Sequence, residues 1–161
     1  MGLERKTAIR EDLEHAQSEL LTVLDRVGPD EWSRPSPNEG WTVRDLLTHL
    51  ATSETGFVPT LRRMGSGEGG VPSDFDPNRW NAGQLRRRAD MSPEQLRAEL
   101  ERSFGEILSV LDTLDDAALD ERGHLSTGVD GSTEDNFRLV ANHKRAHTDD
   151  MRAALAGRAT A

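Results

Sequence analysis

Apolar residues recur at steps of three and four in four separate stretches of this sequence, and no alternating strand pattern of useful length appears. Ile9, Leu13, Ala16, Leu20, Leu24 and Val27 make one stripe along residues 4–27, which Gly28-Pro29 halts. A second stripe runs through Val43, Leu46, Leu47, Leu50, Phe57 and Leu61 and ends at the glycines 65, 67, 69 and 70. Thr42 predicts its N-cap, with Asp45 three residues on completing an acidic capping box. The third stripe carries Leu96, Leu100, Phe104, Ile107, Leu111 and Leu114 behind Ser92-Pro93-Glu94-Gln95, which reads as cap, first helical position and capping partner. Ser132 or Thr133 caps the fourth helix, Glu134 and Asp135 suit the positive end of its dipole, and Gly157 marks its end near Ala156.

A helix with one apolar stripe must bury it against another element. Four such helices joined by loops therefore predict an all-α four-helix bundle spanning residues 1–161 as one domain. The connections are expected to be loops at 33–40, 66–78 and 115–131, with a short extra helix over 80–88 after the long crossover loop.

Composition narrows the function. The formal net charge of −9 offers no basic surface for phosphates, so no nucleic-acid partner is expected. The run Arg86-Arg87-Arg88 reads as a solvated helix face. No segment has the length and apolarity of a membrane span, and the first residues lack a signal-peptide core. With no cysteine there is neither a thiol nucleophile nor a thiolate ligand in the chain. A cytoplasmic protein acting on a small-molecule substrate, with no membrane partner, is the expectation; a homodimer is compatible with it.

The fourth helix departs from an apolar pattern. Its inward stripe reads Phe137, Val140, His143, His147, Met151, Ala154, so two histidines sit one turn apart on one face. Imidazoles at that spacing can share a divalent metal, although a buried histidine is also commonly satisfied by a hydrogen bond. His49, at the edge of the stripe of the second helix, is a third candidate. Three neutral imidazoles from two helices would leave coordination positions open, as in a catalytic site. His15 and His124 fall off the stripes and read as solvated.

The segment Gly40-Trp41-Thr42-Val43-Arg44-Asp45-Leu46-Leu47-Thr48-His49-Leu50 resembles the second-helix signature of the DinB-like superfamily, whose actinobacterial branch includes the N-terminal domain of mycothiol-dependent maleylpyruvate isomerases. Asp74 to Asn81 is similar to the Arg-Trp-Asn region of many members, and His143-Lys144-Arg145-Ala146-His147 with Asp149-Asp150-Met151 is similar to their fourth-helix motif. The resemblance implies a DinB-like up-down four-helix bundle with a long crossover loop and an unusual chain order, and a metal triad of His49, His143 and His147, holding zinc or, in some members, nickel. It also implies a transferase or isomerase dependent on a low-molecular-weight thiol, mycothiol or bacillithiol. The maleylpyruvate isomerases carry a further C-terminal domain, and none is expected here from the residues after the fourth helix. The thiol chemistry is therefore expected more than that particular reaction.

Other roles follow from residue type. Arg62, Arg63 or Arg79 could bind an acidic substrate or a thiol carboxylate. In a metal-dependent hydrolase, Glu54 or Asp150 would serve as base; Asp150 could equally orient a histidine through its second nitrogen. A non-enzymatic metal-binding stress-response protein is the third reading. The pocket is expected at the metal, beside the start of the second helix and the loop 65–81, with Trp80 and Asn81 as packing residues.

Overall fold

The structure is a computed structural model that describes residues 2–157. Along the chain come α1 (Gly2–Leu24), α2 (Val43–Gly65), α3 (Pro77–Arg87), α4 (Pro93–Thr113), α5 (Asp116–Asp120), a hairpin of β1 (Arg122–His124) and β2 (Asp130–Ser132), and α6 (Thr133–Leu155). Three of the four long helices start at full capping boxes. Thr42 and Asp45, Ser92 and Gln95, and Ser132 and Asp135 each exchange two side-chain-to-backbone bonds of 2.8–3.2 Å. These satisfy amide donors that a helix start would otherwise leave free.

The long helices form a four-helix bundle in which α2 packs against α4 and α6, and α1 against α6. Cross-helix contacts set the directions. Arg5 pairs with Glu134 and Lys144 with Gln17, so α1 and α6 run the same way. Thr55 meets Ser103 and Gly65 faces Leu114, so α2 and α4 are parallel. His49 meets His143 and Met64 meets Asn136, so α2 opposes α6. Parallel neighbours need a connection that travels back along the bundle. Residues 66–92, with α3, supply it.

The apolar core lies in two clusters. One holds Ile9, Leu13, Val58, Leu61, Phe104, Ile107, Phe137 and Val140; the other holds Leu20, Leu46, Leu50, Leu96, Leu100 and Met151. Between them a polar belt crosses the bundle. Gln17, Thr52, Glu54, Glu99, Ser103, Lys144 and Thr148 are all buried in it. Lys144, 1% exposed, donates to Gln17 Oε1 at 2.6 Å and to Glu54 Oε1 at 3.1 Å, and stands over the Phe104 ring. A buried ammonium is tolerated here because it is paired, hydrogen-bonded and set against an aromatic face.

Several expectations are corrected. The first helix stops at Leu24, and Val27 packs only from the side. The short helix starts at Pro77 rather than Trp80, because Asp76 accepts from the amides of Asn78 and Arg79. The stretch 115–131 is no plain loop: it holds α5 and the hairpin, with Gly123 opposite Gly131. Three-residue strands of Arg-Gly-His and Asp-Gly-Ser bury no apolar face, so they carry no alternating signal. The arginine run is not wholly solvated either. Arg86 and Arg87 are exposed, but Arg88 bonds Glu99 through Nε at 2.9 Å and through Nη2 at 3.1 Å. Among the described residues no helix is long and apolar enough to cross a membrane.

Candidate metal centre and cavity

The polar belt takes residues from both α2 and α6 where these two helices face each other. His49, His143 and His147 converge there, with one ring nitrogen from each lying within 4.8 Å of the others. His49 Nε2 lies 2.8 Å from His143 Nε2. Ligands tetrahedral around zinc at its usual 2.0–2.1 Å would sit roughly 3.3 Å apart, inside this range of separations. The centroids of the three rings are 4.6–4.8 Å apart, and the rings meet edge-on. The donor set, three nitrogens with no thiolate and no carboxylate, suits zinc or nickel.

Neighbouring side chains hold the rings. His147 Nδ1 lies 3.0 Å from Asp150 Oδ2, and Asn38 Nδ2 donates to the same carboxylate oxygen at 2.8 Å. With Nδ1–H donating to Asp150, the lone pair of His147 Nε2 is left for a metal. Ser53 Oγ sits 3.4 Å from His49 Nδ1, and the Trp41 ring lies 4.8 Å from the His49 ring. Asn38 and Trp41 come from the connection between α1 and α2. Asn38 is held by a turn in which its amide donates to Ser36 Oγ at 3.2 Å.

Electrostatics keep the cluster neutral. Burial, and then the charge of His147, push the His49 pKa down from 6.5 to about 3, with Asn81 opposing. Burial, His49, His147 and Lys144 push His143 well below 6.5. Burial also lowers His147, while Asp150 resists. Neutral imidazole is the metal-binding form.

His49 and His143 form one wall of a cavity of about 630 Å³. Phe57, Pro72, Phe75, Trp80 and Leu139 make it largely apolar; Ser126 and Thr127 of the hairpin close one side. Gly56 lets the Trp80 ring pack close to α2, since a Cβ there would meet that ring at 3.2 Å, a tight contact. The loop wall is pinned by Val71 N–H donating to the His124 carbonyl at 2.8 Å, and a Cβ on Gly70 would collide with that carbonyl. The cavity thus runs along α2 from His49 to Arg63 and takes in residues of the stretch 71–81, as expected of that stretch, while the first turn of α2 stays outside its wall.

The remaining sequence candidates are placed unevenly. Arg63, Trp80 and Asn81 line the cavity. Arg62 and Arg79 are exposed and do not line it. Glu54 is turned into the belt, 2.8 Å from Lys144 Nζ, and is not part of the cavity wall. Asp150 sits behind His147, in the position of an orienting group. His15 is solvated, as expected, whereas His124 is half-buried and bonds Asp130 across the hairpin at 3.0 Å. Sequence reasoning missed Lys144, whose place beside His143 in the motif hid a second buried group, and Asn38, which the Pro-rich loop gave no reason to single out.

Solved structures of similar shape support the fold. The mycothiol-dependent maleylpyruvate isomerase superposes with a TM-score of 0.74 at 20% identity, covering 92% of this chain and 59% of that one. YfiT from Bacillus subtilis, described as "a probable metal-dependent hydrolase with an unusual four-helix bundle topology", superposes at 0.74 with 21% identity over 97% of this chain and 90% of that one. An uncharacterised protein from Escherichia coli UTI89 reaches 0.77 at 17% identity, over 94% and 93%. No curated protein matches the sequence. The sequence itself matches the DinB superfamily across residues 12–151, which takes in the capped start of α2, the α3 region and both histidines of α6; the chain belongs to that superfamily.

Proposed function

We propose that this protein is a metal-dependent enzyme that transfers or isomerises through a low-molecular-weight thiol, with His49, His143 and His147 holding one divalent ion, zinc before nickel. The carrying observation is a cluster of three imidazoles, His49 buried and His143 and His147 half-buried, all pushed toward neutrality, opening on a largely apolar cavity. A bound divalent ion supplies Lewis acidity, lowering the pKa of a thiol or water placed on it. The chain's own part is to present three nitrogens, to fix the His147 tautomer through Asp150, and to keep water from the reacting atoms with Phe57 and Trp80. The protein has no cysteine, so the sulfur would enter as a cosubstrate such as mycothiol or bacillithiol. The S–H proton would leave to solvent, and the thiolate would add to a carbon of a C=C bond conjugated to a carbonyl. The π pair of that bond would take up a proton from water at the neighbouring carbon. Loss of that proton and of the thiolate by the reverse steps would complete an isomerisation.

A hydrolase is the second reading, favoured by the likeness to YfiT. It is the weaker because, among the described residues, no aspartate or glutamate lines the cavity to act as base. Thiolate formation needs only the lowered pKa, whereas hydrolysis commonly enlists such a group. The deciding experiment replaces the native metal with cobalt and adds mycothiol, bacillithiol and glutathione in turn. A sulfur-to-cobalt charge-transfer band that vanishes in His147→Ala supports thiol chemistry. A silent spectrum with water-dependent ester or amide cleavage replaces it with the hydrolase.

A further inference from the structure

The cavity has a second polar end. Asn136 lies in its wall and is 1% exposed; among the described residues its Oδ1 has no hydrogen-bond partner and its Nδ2 has only the Met64 sulfur, at 3.3 Å. Buried carboxamide oxygens are seldom left so, and an orphaned acceptor in a cavity wall is a place for a ligand's donor. Arg63 lines the same cavity. Its Nη2 donates to the Gly70 carbonyl at 3.1 Å, and among the described residues it has no carboxylate partner. The guanidinium is thus steadied by the loop with donors to spare for a planar anion.

Their position follows from helix geometry. Arg63 adjoins Met64, which touches Asn136, so the two side chains sit at one level of the antiparallel α2–α6 pair. On α6, Asn136 precedes His143 by two turns, about 10 Å at 1.5 Å per residue. Between the two ends lie Phe57, Phe75 and Leu139.

We infer that Arg63 and Asn136 form a ligand subsite for a carboxylate carrying a neighbouring O–H or N–H donor, as in 2-hydroxy acids and N-acyl amino acids. Arg63 takes the carboxylate, Asn136 Oδ1 accepts from the donor, and an apolar body about 10 Å long lies along Leu139 toward His143. This names the ligand class for the cavity and rests on the proposed function only for what happens at its other end.

The test is calorimetric titration of the purified protein with 2-hydroxyoctanoate, N-hexanoylglycine, octanoate and octanol, with metal content measured on the same samples. The first two should bind at least fivefold tighter than octanoate and tenfold tighter than octanol. Arg63→Met should lose tenfold or more on every acid and nothing on octanol. Asn136→Leu should bind octanoate as before and lose the preference for the donor-bearing acids; if it melts early, Asn136→Asp should weaken every acid instead. The tighter of the two donor-bearing acids identifies an O–H or an N–H donor. Equal affinity of wild type and Arg63→Met for the acids overturns the subsite, and octanoate binding as tightly as both donor-bearing acids overturns the role of Asn136. Metal content distinguishes the failures. Metal present without Arg63-dependent binding sinks only the subsite, and Arg63-dependent binding without metal sinks only the metal reading.

Discussion

His147 Nδ1 and Asp150 Oδ2 stand 3.0 Å apart on the same face of α6, and Asn38 reaches the same oxygen from the opposite end of the chain. The carboxylate therefore fixes which nitrogen of His147 carries the proton. Loss of such an orienting partner typically costs 10–100-fold in metal affinity. Asp150→Ala should bind the ion with an affinity lower by about that factor while retaining the fold, as read by competition with a chromophoric chelator and by circular dichroism.

The ligands themselves should behave differently. Purified protein is expected to carry about one divalent ion per chain by elemental analysis, as three imidazoles with open positions would hold. His49→Ala and His143→Ala should each lose it. Full metal content in both variants would refute the triad.

Acid should destabilise the metal-free protein. His49 binds a proton near pH 6.5 when unfolded but only near 3 when folded, because burial opposes its charge. Below pH 6.5 the unfolded state thus takes up more protons, so stability is full above that pH and falls on acidification toward the folded value. At pH 5 the loss from His49 alone is about 2 kcal/mol at 1.36 kcal/mol per unit. Urea unfolding at pH 7.5 and pH 5 should show it, and His49→Leu should flatten the dependence. Proton competition for the metal should also set in below the pH near 6 that free imidazole suggests.

Lys144 and Glu54 are 1% and 2% exposed as side chains, so removing one partner strands the other's charge. Glu54→Gln should destabilise the fold by about 3–5 kcal/mol. The double variant Glu54→Leu, Lys144→Met should recover most of that, since replacing a buried pair with apolar groups is often neutral or better. Metal content in the double variant should stay near that of the wild type, because neither residue lines the cavity or supplies a nitrogen to the cluster.

Short-range information in the sequence determined the four long helices, their caps and the spacing that puts His143 and His147 on one face. These depend on periodicity and on bonds spanning three or four residues, which a sequence displays directly. The inward stripe of α6 was legible only approximately. Lys144 and Thr148 are fully buried, while His143 and His147 lie at the border of the core, beside the cavity and Trp41. That small rotation makes the histidines accessible. It depends on how α6 lies against α1 and α2, not on α6 alone.

Tertiary structure alone decided the rest. His49 meets His143 across 94 positions, Asn38 meets Asp150 across 112, and Arg88 pairs with Glu99 under the crossover. Arg63 and Arg62 are chemically the same and adjacent, yet only Arg63 faces the cavity, because one residue along a helix turns a side chain by about 100°. Which of two like residues works, and with what partner, is set by helix rotation and by a loop pinned to the hairpin. Those are long-range packing choices that leave no local pattern in the sequence.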